Sequence, residues 1–232
     1  MIGTPTGNKL IDGLPAQDIE RLKPHLEAAP LVQKQTINAP GASIEQIYFP
    51  ISGVVSMIAS LDDGVAVEVG VIGSEGMVGT PVLLGSETAS NEAFVQLNGT
   101  ALRMPTGVLL DEVEQSPSLR RRLLRHAQAL SFQVAQSAAC NARHVVEERC
   151  ARWLLAAHDR TEGNELGLTH EFLGVMLGVR RAGVTVAAGS LQQAGLIRYR
   201  QGRITILDRE GLEEAACECY RLVRNEYARL LN

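Results

Sequence analysis

Residues 168–196 constrain the fold most, because their pattern predicts two short helices joined by a tight turn. Thr169 is suited to cap the first helix, and Gly178 tolerates the positive φ of a tight helix exit. The second helix is predicted to begin near Arg180 or Arg181. Small residues on its first turn permit close approach to another surface. A helix presented by its N-terminus in this way suits the major groove of DNA.

The apolar positions of this segment predict one buried face on each helix. In the second helix they recur about three or four residues apart, as an amphipathic helix requires. The predicted core positions are Phe172, Leu173, Val175 and Met176 in the first helix, and Val184, Val186, Ala187 and Leu191 in the second.

The same segment resembles the DNA-binding end of the Crp/Fnr family of bacterial transcription regulators, named after the cyclic-AMP receptor protein and the fumarate and nitrate reduction regulator. The resemblance implies an α+β fold with an N-terminal antiparallel β-roll (a cyclic-nucleotide-binding-like jelly roll), a long dimerisation helix and a C-terminal winged helix-turn-helix. It implies a β-roll sensor domain over 1–116, a dimerisation helix over 117–141 and a DNA-binding domain over 142–232. The residues that carry it are Thr169-His170-Glu171-Phe172-Leu173-Gly174, Leu177-Gly178-Val179, Val184, Leu191 and Gly195-Leu196-Ile197.

Composition and charge fit a sensor joined to a DNA reader. The hydrophobic fraction of 45% and charged fraction of 21% are those of an ordinary soluble protein. The net charge of -4 argues mildly against nucleic acid, but residues 1–110 hold five basic and eleven acidic side chains, whereas 118–209 hold fourteen Arg and seven acids. Alternatively, the Arg-rich helices are simply solvated.

The chain shows no signal for a membrane or for secretion. No apolar run approaches the roughly 18 to 20 residues of a membrane span. The amino terminus, MIGTPTGNKLIDGLP, lacks a basic segment followed by an apolar core. We therefore expect a cytoplasmic protein without a membrane partner.

Residues 31–103 consist of short apolar or alternating runs, with turn signals about every ten residues. This pattern predicts an antiparallel barrel or sandwich and matches the family's β-roll. Asp63-Gly64 is a good hairpin turn. Upstream, residues 14–30 predict a short helix that is broken or ended around Pro24 and Pro30.

The family's nucleotide-binding pattern is broken in this chain. In cyclic-nucleotide binders of this fold, a Glu holds the ribose, and an Arg and a Ser grip the cyclic phosphate. Aligned on this pattern, the chain offers Thr80 for the Glu, Asn91 for the Arg and Glu92 for the Ser. A phosphate diester needs positive charge or several N–H donors, and Glu92 would repel it. Cyclic AMP is therefore disfavoured, and these residues would line a pocket for another small molecule, or the barrel is a scaffold without an effector.

An enzyme of cupin type would need several His and carboxylate ligands on neighbouring strands, and residues 31–103 contain no His. We therefore expect no enzyme activity. Haem sensing through His126 stays open, although a lone His on a long helix is more often at a surface or an interface.

The cysteines give a poor metal signal along the sequence. They form no C-x-x-C pair, and no His lies at a zinc-finger distance, so reduced thiols are the simplest interpretation and no metal or cofactor is predicted. Relatives that bind an iron–sulfur cluster use N-terminal cysteines, which residues 1–139 lack. The four cysteines are Cys140, Cys150, Cys217 and Cys219.

Residues 118–159 are helix-like, with a joint near 141 and 142. One set of positions recurs at alternating spacings of four and three, as in the seam of a two-stranded coiled coil. A two-fold dimer would place two reading helices about one DNA turn apart. In the alternative, this is an amphipathic helix buried within one chain. The predicted seam is Leu119, Leu123, His126, Leu130, Gln133 and Ser137, whereas Leu124, Ala127, Phe132 and Ala135 are predicted to pack on the β-roll.

The rest of the reader domain completes a winged helix. Trp153 is predicted to be a core residue. Residues 197–207 predict a hairpin around Gln201-Gly202 that resembles the family's wing. Asp208 is expected to cap a final helix that runs to Leu230.

Each predicted DNA contact has a role. Arg180 and Arg181 begin the second helix beside the small Ala182, and Arg181 is expected to meet a guanine edge, since Arg is the usual partner of guanine O6 and N7. Thr185, one turn on, is expected to touch a thymine methyl or a phosphate. The candidates for phosphate contacts are Thr169, His170 and Arg203.

Together these features predict a homodimeric, sequence-specific regulator that reads a palindromic operator on double-stranded DNA, with RNA polymerase as a further partner. The alternative is a small-molecule-binding β-barrel protein whose helical C-terminal part docks a protein partner. In that case the basic residues would serve the protein contact.

Overall fold

A computed structural model of the protein describes residues 5–62 and 64–231. The chain forms two compact units. One boundary between these units lies inside the long helix Pro117–Arg143. The three predicted domain ranges are therefore not tested and stay a prediction. The first unit comprises Met1–Met57, Val71–Ser131 and Glu226–Asn232, and the second comprises Ile58–Gly70 and Phe132–Asn225.

Two sheets form the predicted antiparallel β-roll, which is confirmed. Their strand orders are β1-β7-β3 and β2-β6-β4-β5. Buried side chains of the strands, such as Val55 and Val95, form the core together with Val78 from the segment after β5. The strands are β1 (Glu27–Leu31), β2 (Thr36–Asn38), β3 (Gln46–Pro50), β4 (Val54–Ser60), β5 (Ala66–Ile72), β6 (Glu92–Leu97) and β7 (Gly99–Pro105).

The predicted N-terminal helix ends near Pro24, as expected, and the residues around Pro30 form a strand instead. Helices α1 (Lys9–Asp12) and α2 (Ala16–Leu22) are followed by a single 3-10 turn, Lys23–His25. Strand β1 then begins at Glu27, and Pro30 lies inside it, paired with a residue of β7. Proline occupies the strand because it lacks only the N–H, which an edge position does not need.

The predicted turn between β4 and β5 falls partly outside the described residues, since Asp63 is not among them. The residues that flank Asp63 on either side are hydrogen-bonded to each other, since the Leu61 amide donates to the Val65 carbonyl at 2.8 Å. Gly64 has a φ of 81°, which glycine adopts without strain.

Helix α3 (Thr106–Gln115) leads into α4 (Pro117–Arg143). All six residues of the predicted dimer seam on α4 are buried within the single chain, so the structure does not support that seam. The core of the chain's own fold already covers this face, which agrees with the alternative of an amphipathic helix buried within one chain. The residues concerned are Leu119, Leu123, His126, Leu130, Gln133 and Ser137.

The opposite face of α4 is open in the single chain. Leu124 is 43% exposed, and Ala135 is exposed as well, so the prediction that they pack on the β-roll is wrong. Only Ala127 of that predicted set is buried. Further along the same face, Ala138 and Ala142 are also exposed.

The second unit is a winged helix-turn-helix, as predicted. Its three-stranded sheet has the order β8-β10-β9, and Trp153 lies in its core, as predicted. Asp208 caps the next helix through the Gly211 amide, at 3.0 Å, but the predicted single final helix is broken into two. The elements are α5 (Val146–His158), β8 (Glu165–Leu166), α6 (His170–Leu177), α7 (Arg181–Gln193), β9 (Ile197–Arg200), β10 (Arg203–Ile206), α8 (Arg209–Ala215) and α9 (Cys219–Leu231), of which α9 passes into the first unit at Glu226.

The tip of the β4–β5 hairpin, Ile58–Gly70, belongs to the second unit. The indole nitrogen of Trp153 donates a hydrogen bond of 2.9 Å to the Glu68 carboxylate. A carboxylate acceptor strengthens such a bond relative to a neutral one, so this contact helps to fix the hairpin tip on α5.

Among the described residues, no single helix is long and apolar enough to cross a membrane. Helices α6 and α7 pass that test of length and composition only as a joined pair, and they are bent by 104° at the break between them.

Candidate nucleic-acid interface

The turn between α6 and α7 has the geometry that the sequence predicts. The Thr169 hydroxyl accepts a hydrogen bond of 3.2 Å from the Phe172 amide and caps α6. Gly178 ends the helix in the left-handed region, with a φ of 62°. A Cβ on Gly174 would lie 2.9 Å from the Val179 carbonyl oxygen, so only glycine permits this close approach. The 104° bend between the helices lies in the range typical of a helix-turn-helix.

Helix α7 has one buried and one exposed face. Val184, Ala187 and Leu191 lie in the core, as predicted. Val186 is 73% exposed, so its predicted place in the core is wrong, and on α6 Val175 is exposed as well. The exposed residues of the N-terminal half of α7 are Arg181, Ala182, Thr185 and Val186.

The N-terminus of α7 is strongly positive. Arg180 is the residue before the helix, Arg181 is its first residue, and both are exposed. The first amides of a helix and its dipole add positive potential at the same place. Two guanidinium groups at such an end can reach an anion or the acceptor atoms of a guanine.

His170 is held inside the motif rather than offered to a ligand. Its Nδ1 lies 3.1 Å from the Thr185 hydroxyl, and its ring stacks on Tyr199 with centroids 3.9 Å apart. Its Nε2 is buried without a hydrogen-bond partner. Desolvation, followed by the charge of Arg181, lowers the pKa of His170. The structure therefore does not support the predicted phosphate contact, and His170 positions Thr185 instead.

The wing is a tight hairpin of β9 and β10. Gln201 and Gly202 both have positive φ, 49° and 76°, which is typical of a two-residue turn that matches strand twist. Arg203 is exposed and forms a 2.5 Å ion pair with Glu165, which is also exposed. Such exposed pairs are weak, so a phosphate can compete for the guanidinium.

Two exposed arginines of β9 add to this basic surface. Arg198 and Arg200 alternate along the strand, whereas within this hairpin the sequence analysis assigned a DNA contact only to Arg203. Arginines two residues apart in a predicted strand lie on the same face of that strand, and this spacing is the sequence signal for the pair.

The predicted effector residues meet at one cavity in the β-roll. Thr80, Asn91 and Glu92 line a space of about 50 Å³ together with mostly apolar side chains. Glu92 is the one charged side chain among the lining residues that the structure describes, and it accepts a hydrogen bond of 2.8 Å from the Thr36 hydroxyl. Ligand pockets usually enclose about 300 to 1,000 Å³. The cavity is small and provides no cation for a cyclic phosphate.

His126 lies in the core of the first unit. Its Nε2 is 3.2 Å from the Met77 amide, which donates to it, and burial lowers the pKa of His126 to about 4. The expectation of a surface or interface position is therefore wrong. Nε2 is occupied by this hydrogen bond, and haem sensing through His126 stays untested.

A group of possible metal ligands lies apart from the basic surface. Cys140, His144, Cys217 and Cys219 have one ligand atom each within 4.8 Å of one another, and we call this group the Cys–His cluster. The fourth cysteine, Cys150, is buried elsewhere. The spacing argument against a metal fails here, because the ligands come from two distant segments. The predicted absence of a metal stays untested.

Comparison with known protein families assigns the two halves of the chain. Residues 30–116 match the model of the cyclic nucleotide-binding domain, and residues 148–215 match the model of the Crp-like helix-turn-helix domain. Together the two ranges cover about two thirds of the chain. A comparison with curated proteins gave no match.

Solved structures show the same fold. FixK2 from Bradyrhizobium japonicum has a TM-score of 0.70 at 16% identity, over 83% of this chain and 98% of its own. A transcriptional regulator of the CRP/FNR family from Thermus thermophilus has a TM-score of 0.66 at 24% identity, over 82% and 98%. The c-di-GMP-responsive global regulator CLP of Xanthomonas campestris has a TM-score of 0.67 at 22% identity, over 83% and 99%.

These structural similarities support the fold. The family is assigned from the two matched domain models, which follow each other along the chain in this order. Regulators built in this way are not enzymes, which sets aside the cupin alternative. With its exposed, arginine-tipped reading helix, the chain belongs to the Crp/Fnr family of DNA-binding transcription regulators.

Proposed function

We propose that the protein acts as a homodimer that reads a palindromic operator in the cytoplasm, with α7 in the major groove of each half-site. The observation that carries this proposal is the exposed N-terminal half of α7, which is basic at its tip and buried on its opposite face. A helix anchored on one side and positive at its end enters the groove N-terminus first.

Base contacts would come from three exposed side chains of α7. Arg181 would donate to guanine O6 and N7, as the commonest specific contact does. Val186 adds an apolar surface suited to a thymine methyl, and Thr185, positioned by His170, lies on the same face. A good bidentate contact, such as that of Arg181 with guanine, is worth about 1 to 3 kcal/mol of discrimination.

Phosphate contacts would fix the register of the protein on the duplex. Thr169 at the start of α6 and Arg203 in the wing remain the candidates, and Arg180, Arg198 and Arg200 extend the basic surface. Such contacts position the protein but carry no sequence information. They make the affinity fall steeply with salt.

We place the dimer seam on the exposed face of α4. Residues on this face recur every three or four positions, and most of them are small, which permits close approach of two helices. To read a palindrome, the dimer must hold its two copies of α7 about 34 to 36 Å apart, which is one turn of DNA. The proposed seam residues are Leu124, Gln128, Ser131, Ala135, Ala138 and Ala142.

An effector, where one acts, would be small and would not be a cyclic nucleotide. The cavity lined by Thr80, Asn91 and Glu92 has an apolar wall and a carboxylate but no lining cation among the described residues. An uncharged or weakly polar molecule fits this chemistry, since a phosphate diester requires charge-assisted donors. RNA polymerase is the further partner that we propose, from the family's role in transcription.

The experiment that tests the function is selection of binding sites from a random duplex library, followed by fluorescence anisotropy over a range of salt concentrations. We expect enrichment of an inverted repeat, and we expect its binding to weaken as salt rises. Equal affinity for selected and random duplexes would contradict sequence-specific reading. The absence of any duplex binding would favour the barrel protein that docks a protein partner.

A further inference from the structure

We propose that the Cys–His cluster binds one zinc ion, held by the thiolates of Cys140, Cys217 and Cys219 and by Nδ1 of His144. Three thiolates and one imidazole are a common ligand set of structural zinc. The site lies within the second unit and is separate from the residues assigned to DNA or effector.

The distances in the cluster fit a single four-coordinate ion. The sulfurs of Cys140 and Cys217 are 3.5 Å apart, and the sulfur of Cys219 lies 3.6 Å from Nδ1 of His144. With Zn–S of about 2.3 Å and Zn–N of about 2.0 to 2.1 Å, a tetrahedral site separates its ligand atoms by about 3.6 to 3.8 Å. An iron–sulfur cluster places several irons and sulfides between its ligands and would need wider spacing. The geometry therefore favours a mononuclear site.

Local structure brings these ligands together without a long loop. Cys140 and His144 are one helical turn apart at the end of α4, where the His144 amide donates to the Cys140 carbonyl at 3.0 Å. Cys217 and Cys219 flank Glu218 at the break between α8 and α9. All three cysteines are buried, and His144 is half-buried. A site without an open position is typical of structural rather than catalytic zinc.

A second layer of contacts orients the ligands. Nε2 of His144 lies 3.2 Å from the Glu218 carboxylate, which leaves Nδ1 to face the sulfurs. A carboxylate behind a ligating imidazole is the usual outer contact of zinc histidines. The side-chain amide of Gln136 donates to the Cys219 sulfur at 3.1 Å. These contacts hold the imidazole and one thiolate in the orientations that a metal requires.

The charge of the site is also balanced by its surroundings. Zinc with three thiolates carries one net negative charge, which is costly to bury alone. The guanidinium of Arg152 acts electrostatically on Cys140, and so does that of the buried Arg149. The site therefore has the cationic neighbours that an anionic zinc–thiolate group needs.

A disulfide explains the cluster less well. Cys140 and Cys217 are free thiols in the structure, with their sulfurs 3.5 Å apart. A disulfide between these two residues would not explain why Cys219 and His144, which is paired with Glu218, lie in the same cluster. By contrast, zinc uses all four ligands and joins the end of α4 to the break before α9, which would fix the C-terminal helices of the DNA-binding domain.

The test is metal analysis of the full-length protein, purified under reducing conditions without chelator, by mass spectrometry of the elements. We expect about one equivalent of zinc per chain, and loss of nearly all of it in Cys217→Ser. The matched control is Cys150→Ser, which removes a buried cysteine outside the cluster and should leave the zinc in place.

A second measurement does not depend on the folding of a variant. Wild-type protein stripped with chelator and titrated with cobalt(II) should develop the visible bands of a tetrahedral thiolate site, and X-ray absorption of the zinc form should show sulfur at about 2.3 Å and nitrogen at about 2.0 to 2.1 Å. Iron with acid-labile sulfide, a Cys140–Cys217 disulfide, or an unaltered zinc content in Cys217→Ser would each overturn the proposal. Failure of wild-type protein to take up either metal would overturn it as well.

Discussion

The buried His126 allows the most quantitative prediction about this protein. Its ring lies in the core of the first unit, and a Cβ added to Gly76 would come within 2.5 Å of its Cε1. Burial lowers the pKa of His126 from 6.5 to about 4, against the smaller opposing effects of Glu75 and the Met77 backbone. The folded protein therefore holds this imidazole neutral at a pH where the unfolded chain would charge it.

The sign and size of the effect follow from proton linkage. Because the unfolded chain binds a proton below pH 6.5 and the folded chain only near pH 4, stability is lost as the pH falls through this window. The full loss is about 3 kcal/mol, of which about 2 kcal/mol is reached by pH 5. Above pH 7 both states carry a neutral ring, so the contribution is close to zero.

The assay compares urea unfolding of the wild type and His126→Gln near pH 7.5 and near pH 5. Glutamine keeps an acceptor for the Met77 amide but cannot charge. We expect the wild type to lose about 2 kcal/mol more than the variant on acidification. The matched control, His25→Gln, changes an exposed histidine and should behave like the wild type. Equal acid losses in the wild type and His126→Gln would refute a buried neutral imidazole.

Three further predictions concern the dimer, the hairpin and the effector cavity. Ala135→Arg should convert the dimer to a monomer in sedimentation analysis, while Asn141→Arg, about 120° from Ala135 around α4, should not. A dimer that persists in Ala135→Arg would disprove the proposed seam. Glu68→Gln should weaken the hydrogen bond that Trp153 donates. Because Trp153 is the one tryptophan of the chain, the emission maximum of the protein's tryptophan fluorescence should shift. An unchanged spectrum would mean that this bond is not formed in solution. Cyclic AMP should produce no binding heat in calorimetry, and a measurable affinity would contradict the interpretation of the cavity.

The helix-turn-helix was predictable from sequence because its signals are local. Thr169, Gly178 and the apolar spacing of α7 each act within a few residues of one another, and the structure confirms them. Val186 was misplaced because a periodic pattern alone does not show where a buried face stops. Its neighbours Val184 and Ala187 are buried, whereas Val186 faces outward.

The faces of α4 were not predictable, for a different reason. A stripe of Leu119, Leu123 and Leu130 fits a partner helix as well as the chain's own core, since both bury apolar side chains with the same period. Only the fold shows that the core covers this stripe and leaves Leu124 exposed.

The Cys–His cluster was missed because its two pairs of ligands are far apart in the chain. Sequence reasoning interpreted residues 208–230 as one helix, which would have separated Cys217 and Cys219 around its surface. The break between α8 and α9 places both sulfurs beside Cys140 instead. Such long-range contacts depend on tertiary packing, which local patterns do not report.

The most direct test of the central claim is site selection with the wild type, Arg181→Ala and a control, Arg120→Ala, which removes an exposed arginine of α4. We expect the wild type to select an inverted repeat with half-site centres about 10 to 10.5 base pairs apart. Arg181→Ala should relax one position in each half-site at a cost of about 1 to 3 kcal/mol, and Arg120→Ala should leave the preference unchanged. Retention of the full sequence preference by Arg181→Ala, or equal weakening on every duplex, would contradict base reading by the tip of α7.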